Sequence, residues 1–181
     1  MSTFKPLEIA ILSDGEVSST LAQDAAEFFA DNSRIGVKPR PGGFVLQTVS
    51  EQEADAAIQA FIATHDQPLK ILAPQPLYRW EDPILEPIMT FRIRTTAEFT
   101  DPIVNDIDSR RGAIQSVDKD GGEETLIQGL IPLANSYGWT NNLKQLTKDH
   151  FTLEIDFHGY EPIPQPEDPD PNEPAAGALR A

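Results

Sequence analysis

Two stretches of the chain repeat the same alternation of strand-like and helix-like patterns, and this repeat constrains the fold more than any other feature. In the first stretch, runs of β-branched and aromatic residues are separated by two helical stripes, in which apolar residues recur every three or four positions. The predicted strands are residues 7–12, 34–38, 44–49 and 69–72. The stripes are Leu21, Ala25, Phe28 and Phe29, then Ala54, Ile58, Phe61 and Ile62. The order β-α-β-β-α-β predicts an antiparallel sheet with both helices packed on one face.

The second stretch follows the same order. Its predicted strands are residues 87–95, 113–117, 124–131 and 151–160, with a hairpin turn at 120–122. Asp101 is predicted to cap the first helix, with Pro102 at the first helical position, and Gly112 to end it. Gly138 is predicted to break the second helix. The chain is therefore assigned to the α+β class, as two ferredoxin-like βαββαβ sandwiches in tandem.

Two capping boxes mark predicted helix starts in the first stretch. Thr20 with Gln23, and Ser50 with Glu53, each place a hydroxyl three residues before a side chain that can reach back to the helix end. These pairs predict helices that begin just after Thr20 and Ser50.

The repeated pattern and the proline-rich end divide the chain into two sandwiches and a tail. We expect one sandwich in residues 1–80, a linker in 81–84, the second sandwich in 85–164 and a tail in 165–181. Residues 161–181 hold six of the 16 prolines and five acidic side chains, and proline supports neither a helix interior nor a sheet ladder. The sequence therefore predicts a disordered, proline-rich acidic tail.

Charge and hydropathy limit the class of partner. The 181 residues carry a formal net charge of −15, with an excess of acids in both sandwiches and in the tail. Because nucleic-acid binding depends on cations that face phosphates, this balance argues against DNA and limits any RNA contact to a few local cations. No apolar run reaches the length of about 18 residues that a membrane span needs. The chain starts without an apolar signal region, so a cytoplasmic protein without membrane contact is expected.

The sequence contains no motif for catalysis or cofactor binding. It lacks the glycine-rich phosphate loop that ends in Lys and Ser or Thr, and zero cysteines exclude thiol nucleophiles and thiolate zinc sites. His65, His150 and His158 are the only histidines, and none has metal-ligand spacing to another. Scattered carboxylates are the only material for an active site. We therefore expect no catalytic residue, no cofactor and no metal, in a protein that is not an enzyme.

Three signatures connect the second sandwich to a known family. They are LEPIM at residues 85–89, NDIDSRRG at 105–112 and LEIDFHGYEPIP at 153–164. In that order and spacing they resemble the C-terminal domain, domain V, of the translocase elongation factor G. The resemblance implies a translation-factor-like protein.

The first sandwich has a shorter similarity to the same family. GFVL at residues 43–46, an acidic helix and PQPLYR at 74–79 look like domain III of elongation factor G. Trp80 stands where the family usually continues with Glu. In that family, domain IV separates domains III and V, whereas here a few residues join the two stretches. The resemblance thus implies domains III and V together, without the GTPase domain, domain II or domain IV.

Ser109, Arg110 and Arg111 form the candidate contact site. By resemblance, their helix faces the large ribosomal subunit near its GTPase-associated centre, and two arginines at a helix end can hold phosphate in bidentate geometry. The alternative interpretation is structural, because cations stabilise a helix C-terminus and Gly112 favours the position that follows it.

A second basic segment adds Lys144 and Lys148 to the candidate contact set. The family usually carries Gly and then Arg where this chain has Asp149 and His150, and a histidine is mostly neutral at pH 7. The resemblance therefore implies a weaker contact with an anion at this segment.

Two functions stay open on these grounds. The first is a non-catalytic protein that binds the ribosome, through large-subunit RNA or stalk-base proteins, or that binds another translation protein. The alternative is an acidic protein-interaction module of the same family without ribosome binding, which the net charge favours. An unpaired sheet edge would also permit a homo-oligomer.

Overall fold

Each half of the molecule contains an antiparallel sheet, and the two sheets share one strand order. The computed structural model describes residues 4–14, 20–65, 68–119 and 124–164. The first half contains strands β1 (Leu7–Ser13), β2 (Gly36–Arg40), β3 (Gly43–Thr48), β4 (Leu69–Ile71) and β5 (Gln75–Pro76), and helices α1 (Leu21–Phe28) and α2 (Glu51–Ile62). The strands lie in the order β2-β3-β1-β4, and β5 pairs with the other end of β1 on the same side as β4.

The second half repeats this strand order. It contains β6 (Leu85–Thr96), α3 (Thr100–Ser109), β7 (Ala113–Lys119), β8 (Glu124–Pro132), α4 (Trp139–Thr147) and β9 (Phe151–Pro162). The sheet order is β7-β8-β6-β9, and every neighbouring pair is antiparallel. The α+β prediction of two ferredoxin-like units is therefore confirmed. The predicted hairpin tip at 120–122 and the predicted disordered tail at 165–181 lie outside the described residues.

Aromatic rings fix the helices on each sheet. In the first half, Phe61 of α2 packs edge-on against Phe44 of β3, with ring centroids 5.4 Å apart. In the second half, Trp139 of α4 packs edge-on against Phe91 of β6 at 5.1 Å. All four rings are buried, and truncating such a ring to alanine typically costs about 3–5 kcal/mol. These contacts hold the helical layer in a fixed position over each sheet.

Gly129 makes room for the central ring of the second half. It lies opposite Phe91 in the β6–β8 ladder. A Cβ atom at this position would lie 2.7 Å from the Phe91 ring and 2.3 Å from the carbonyl oxygen of Ala113. Both distances are shorter than a van der Waals contact, so a glycine is required here for space.

Two helix starts differ from the predicted caps. The side chain of Thr20 forms no capping hydrogen bond, although α1 begins directly after it. Helix α3 begins at Thr100, so Asp101 and Pro102 occupy the second and third helical positions. The cause is a 3₁₀ turn at Ala97–Phe99 that runs directly into the helix. Proline is tolerated at the third position because the N–H groups of the first turn have no helical partners.

Two other predicted boundaries are confirmed. The Ser50 Oγ accepts a hydrogen bond from the Glu53 N–H at 3.4 Å, and the Glu53 carboxylate accepts one from the N–H of Val49 at 3.3 Å. Gly138 has a left-handed φ of 67° and separates a 3₁₀ turn at Leu133–Ser136 from α4. Local sequence signals therefore place these two boundaries correctly.

The two halves contact each other along β9 and at the start of α4. The Tyr160 hydroxyl donates to the carbonyl oxygen of Leu77 at 2.7 Å. The N–H of Gly138 donates to the Glu51 carboxylate at 2.6 Å. These bonds join β9 to the end of the first half, and the start of α4 to the first turn of α2.

An arginine and a buried tyrosine lie at the same junction. Arg34 forms ion pairs with Glu53 in its own half and with Asp156 of β9, the latter at 3.2 Å. Tyr137 packs near Tyr78, and its hydroxyl is buried without a hydrogen-bond partner. Burial raises the pKa of the Tyr137 hydroxyl above the usual tyrosine range, so this group stays neutral in alkaline solutions that would ionise an exposed tyrosine.

Candidate functional site

Arg110 is held inside the second half by a network centred on Asp106. The Arg110 Nε donates to the two carboxylate oxygens of Asp106 at 3.1 and 3.3 Å, and Nη1 donates to the carbonyl oxygens of Asn135 and Tyr137 at 2.9 and 3.3 Å. Ser109 is exposed, and its Oγ donates to the carbonyl oxygen of Asp106 at 2.7 Å. The guanidinium therefore joins the end of α3 to the segment before α4, which commits most of its donors.

The Asp106 carboxylate also accepts two hydrogen bonds from α4. The Trp139 Nε1 donates at 2.8 Å and the Asn142 Nδ2 at 2.7 Å. With Arg110, three side chains converge on one mostly buried carboxylate. The sequence showed only the Asp106–Arg110 spacing of four residues, because the α4 donors are far away along the chain.

Arg111 follows α3 in a left-handed backbone conformation, with φ of 60°. The N–H of Arg111 donates to the carbonyl of Asp108 at 3.1 Å, and the N–H of Gly112 donates to that of Ile107 at 2.9 Å, which together form a Schellman C-cap. Gly112 therefore lies one position beyond the left-handed residue, which corrects the predicted helix end. A Cβ atom on Gly112 would lie 2.6 Å from the Ile107 Cγ2, so this glycine is required for space.

The Arg111 side chain is paired but accessible. Its Nη2 donates to the buried carboxylate of Glu86 at 2.7 Å, while 47% of the side chain stays exposed. A left-handed conformation costs a non-glycine residue about 1–2 kcal/mol. The charge-assisted bond to a buried carboxylate offsets part of that cost. One side of the guanidinium is thus fixed, and the remaining donors are accessible to an anion.

Lys144 and Lys148 are exposed in the last turn of α4 and just after it, and neither side chain has an ion pair or hydrogen bond within the described part of the chain. Lys148 and Asp149 both adopt left-handed conformations, with φ of 52° and 66°. The N–H of Asp149 donates to the carbonyl oxygen of Lys144 at 3.2 Å, which closes the helix end. Aspartate tolerates a left-handed conformation better than most residues. Asp149 can therefore occupy the position where the elongation factor G family usually carries a glycine.

The two candidate contact sites lie at opposite ends of the helical layer. Arg111 follows the end of α3, which contacts the start of α4 through the Asp106 network. Lys148 lies near the start of α3, because its neighbour His150 contacts residues there. The carbonyl oxygen of His150 accepts a hydrogen bond from the Thr95 hydroxyl at 2.9 Å, and its ring lies 6.2 Å from that of Phe99, just before α3. The ten residues of α3 span about 15 Å. The residues that the sequence grouped therefore form two separate sites.

Two further cations lie at the Lys148 end. A single rung of the sheet joins Lys119 to Thr125, Thr95 and Phe151 across all four strands. Arg94 immediately precedes the buried Thr95 in β6, so its side chain lies on the opposite face of the sheet, which the helices leave open. Neither cation has an ion pair within the described ranges. Sequence reasoning missed both, although alternation along β6 could have placed Arg94 on the open face.

Acidic residues surround these cations. Glu98, Asp118, Glu124 and Asp149 belong to the same end of the second half. A net positive field is therefore absent there, and attraction to a polyanion must come from direct contacts.

Catalytic chemistry has little support in the described residues. Within 4–14, 20–65, 68–119 and 124–164, no three His, Asp or Glu side chains gather as metal ligands, and no helix is long and apolar enough to cross a membrane. A polar cavity of about 230 Å³ on the open face of the second sheet is lined by Thr90, Phe91, Arg92, Gln115, Gln128, Gly129, Glu154 and Asp156. This lining offers hydrogen bonds but no activated nucleophile.

Comparison with known proteins shows that the second half is similar to the C-terminal domain of elongation factor G. The model of the family "Elongation factor G C-terminus" matches residues 83–170. Elongation factor G of Dehalococcoides mccartyi strain BAV1 is 40% identical over 81 residues, which are 45% of this chain and 12% of that protein. Elongation factor G of Paracoccus denitrificans is 37% identical over 82 residues, with the same coverage.

A solved structure is similar in fold to both halves of the chain. The crystal structure of ttk003000868 from Thermus thermophilus superposes with a TM-score of 0.64 over 91% of this chain and 42% of its own, at 11% identity. The chain spans about an eighth of the length of the two factors named above, and only their C-terminal domain is matched. The protein is thus similar to a fragment of a translation factor.

Proposed function

We propose that this protein is a non-catalytic, translation-factor-like protein that binds the large ribosomal subunit near its GTPase-associated centre. The observation that carries the proposal is the match of residues 83–170 to the C-terminal domain of elongation factor G, at up to 40% identity among the relatives named above. A domain that keeps this much of the factor's sequence is expected to keep a docking surface as well as a fold. Its partner would be large-subunit RNA or stalk-base proteins, and the protein would act in the cytoplasm.

We assign the contact with the ribosome to three cations, and we assign to two other residues the positioning of the helix end that carries one of them. Arg111, Lys144 and Lys148 have exposed side chains. Ser109 and Arg110 bond to the backbone and to the Asp106 network, so they position the end of α3 instead of binding phosphate themselves. The proposed interface therefore touches its partner at both ends of the α3–α4 layer.

We also propose that the two sandwiches are two domains. The strand order supports one unit in residues 1–80 and another in 85–164, joined by residues 81–84.

The three cations predict a binding strength that falls as the salt concentration rises. Each phosphate contact contributes a slope of about 0.7–0.9 in log K against log salt. Three contacts therefore predict an affinity about 20- to 40-fold lower at 200 mM than at 50 mM salt. Because the chain as a whole carries a net charge of −15, removing two of the three cations should abolish most of the binding at either concentration.

The test is co-sedimentation of the purified protein with ribosomes and with separated subunits at those two salt concentrations. Lys144→Ala/Lys148→Ala should lose most of the pelleting with the large subunit. Arg40→Ala/Lys70→Ala is the matched control, because it removes from the first half two exposed cations that have no partner among the described residues. Absence of pelleting at 50 mM salt, or equal pelleting of the two double variants, would contradict the proposal.

A second candidate function is an acidic protein-interaction module that does not bind the ribosome. The net charge of −15 and the replacement of the family's basic residue by His150 favour it. If the wild type fails to pellet with ribosomes at 50 mM salt, this candidate becomes the better account.

A further inference from the structure

A short loop between the two halves is fixed at its base by backbone hydrogen bonds. Arg79 and Leu85 exchange two N–H···O bonds, each 3.0 Å long, and form an isolated antiparallel bridge. The N–H of Ile163 donates to the carbonyl oxygen of Ile84 at 3.0 Å, which fixes the end of the loop against the end of β9. Residues 80–84, called here the Trp80 loop, are therefore held in one place on the surface.

The Trp80 loop presents the most exposed large apolar side chain in the described part of the molecule. Trp80 is 80% exposed and Ile84 is 38% exposed, whereas Trp139, the other tryptophan of the chain, is 1% exposed. The Tyr78 ring lies 6.3 Å from that of Trp80. Tryptophan is usually well covered in a folded protein, and it is enriched among residues that dominate protein interfaces.

The residue before the loop is held by the second half. The guanidinium of Arg79 stacks over the Tyr160 ring, 4.2 Å from its centroid. Together with the bridge to Leu85, this contact means that the backbone at Trp80 is held in place before any partner arrives. Binding through such a group loses little conformational entropy, which favours affinity.

The charge around Trp80 selects the kind of partner. Glu81 and Asp82 follow it, and both are exposed. Arg79, the nearest cation along the chain, is engaged with Tyr160. Two carboxylates next to an aromatic ring repel the phosphates of a nucleic acid, so base stacking on Trp80 is disfavoured. They attract instead a protein surface that carries lysine or arginine.

We propose that the Trp80 loop anchors a basic protein surface, with Trp80 inserted into an apolar socket and Glu81 and Asp82 paired with cations at the rim of the socket. This inference rests on the proposed function: the partner is a basic protein of the large ribosomal subunit. The contact is distinct from the cationic one at Arg111, Lys144 and Lys148. It is largely apolar, so it is weakly sensitive to salt.

The test measures binding to large ribosomal subunits by co-sedimentation at 50 and 200 mM salt. Trp80→Ala is expected to weaken binding by roughly thirtyfold at both concentrations, since truncation of such an anchor typically costs about 2 kcal/mol or more. Glu81→Lys/Asp82→Lys should weaken binding mainly at 50 mM salt. Ile71→Ala, which trims a side chain that is 44% exposed on β4, is the matched control and should bind as the wild type does.

Protein-free large-subunit RNA serves as the second probe. On this RNA, Trp80→Ala should bind as the wild type does. An equal loss on the bare RNA would mean that Trp80 stacks on bases, which overturns the protein partner. Because Trp80 makes few contacts within the fold, the urea unfolding transition of Trp80→Ala should match that of the wild type, which shows that any loss of binding is local.

The outcomes separate this inference from the proposed function. If the wild type pellets and Trp80→Ala pellets equally well, the anchor is refuted while ribosome binding stands. If the wild type does not pellet at 50 mM salt, the proposed function fails and the anchor fails with it.

Discussion

Asp106 joins α3 to α4, and its replacement tests that contact directly. Its carboxylate accepts hydrogen bonds from Arg110, Trp139 and Asn142 at distances between 2.7 and 3.3 Å. Asp106→Ala would leave a guanidinium, an indole N–H and an amide without their acceptor in a mostly buried site. Such groups cannot recover full hydration without opening the contact between α3 and α4.

The expected cost follows from these three donors. A hydrogen bond to a charged partner contributes about 1.5–3 kcal/mol, and a buried donor left unsatisfied costs about 1–3 kcal/mol. The site is partly accessible, and Arg110 keeps its bonds to two backbone carbonyls, so the sum lies toward the lower end. We expect Asp106→Ala to lower the free energy of unfolding by about 3–4 kcal/mol. Asp106→Asn, which keeps one acceptor oxygen, should cost roughly half as much.

The assay is urea unfolding followed by tryptophan fluorescence in a Trp80→Phe background, so that the buried Trp139 is the only reporter. This background removes the signal of an exposed side chain and leaves the core intact. Asp108→Ala is the control, because it changes an exposed carboxylate on the same helix and should stay within about 0.5 kcal/mol of the background. An Asp106→Ala protein within about 0.5 kcal/mol of that control would refute the role of the network.

Further predictions at three residues concern unfolding free energies. Tyr137→Phe should stabilise the protein by about 1 kcal/mol at pH 7, because it removes a buried hydroxyl that has no partner. Burial raises the pKa of Tyr137, so the tyrosine ionises first in the unfolded chain, and the wild type should lose stability as pH rises above about 10. Urea titrations at pH 9–11 should show a smaller loss of stability for Tyr137→Phe than for the wild type. Tyr160→Phe should instead cost about 1 kcal/mol in the same assay, because it removes the 2.7 Å bond to a backbone carbonyl of the first half. Gly129→Ala should cost at least about 2 kcal/mol, because the new methyl group would overlap the Ala113 carbonyl and the Phe91 ring; an unchanged unfolding midpoint would contradict this.

Features encoded within a few neighbouring residues could be predicted from the sequence. The strand and helix order, the Ser50 cap and the break at Gly138 depend on short-range periodicity and turn chemistry, and the structure contains them. The start of α3 could not be placed, because the 3₁₀ turn before Thr100 has no strong sequence signal. The same limit applies to the rung through Lys119, since register across four strands depends on tertiary packing.

The candidate site shows why residue type and spacing alone do not assign roles. Arg110 and Arg111 are adjacent and chemically identical, so residue type predicts for both the same capacity to hold a phosphate. Successive residues of a helix point about 100° apart, and here the chain also changes direction at Arg111. The first arginine therefore meets Asp106 and the backbone before α4, while the second meets Glu86 and solvent.

Replacing both arginines at once would not isolate the contact with a partner from the stability of the fold. Loss of Arg110 leaves the Asp106 carboxylate without its cation, so Arg110→Ala would weaken binding by disturbing the fold even if the arginine never touched the ribosome. A double Arg110→Ala/Arg111→Ala variant would therefore mix two effects that cannot be separated afterwards. Lys144 and Lys148 have no structural partner in the described residues, and loss of binding in Lys144→Ala/Lys148→Ala would report the contact itself.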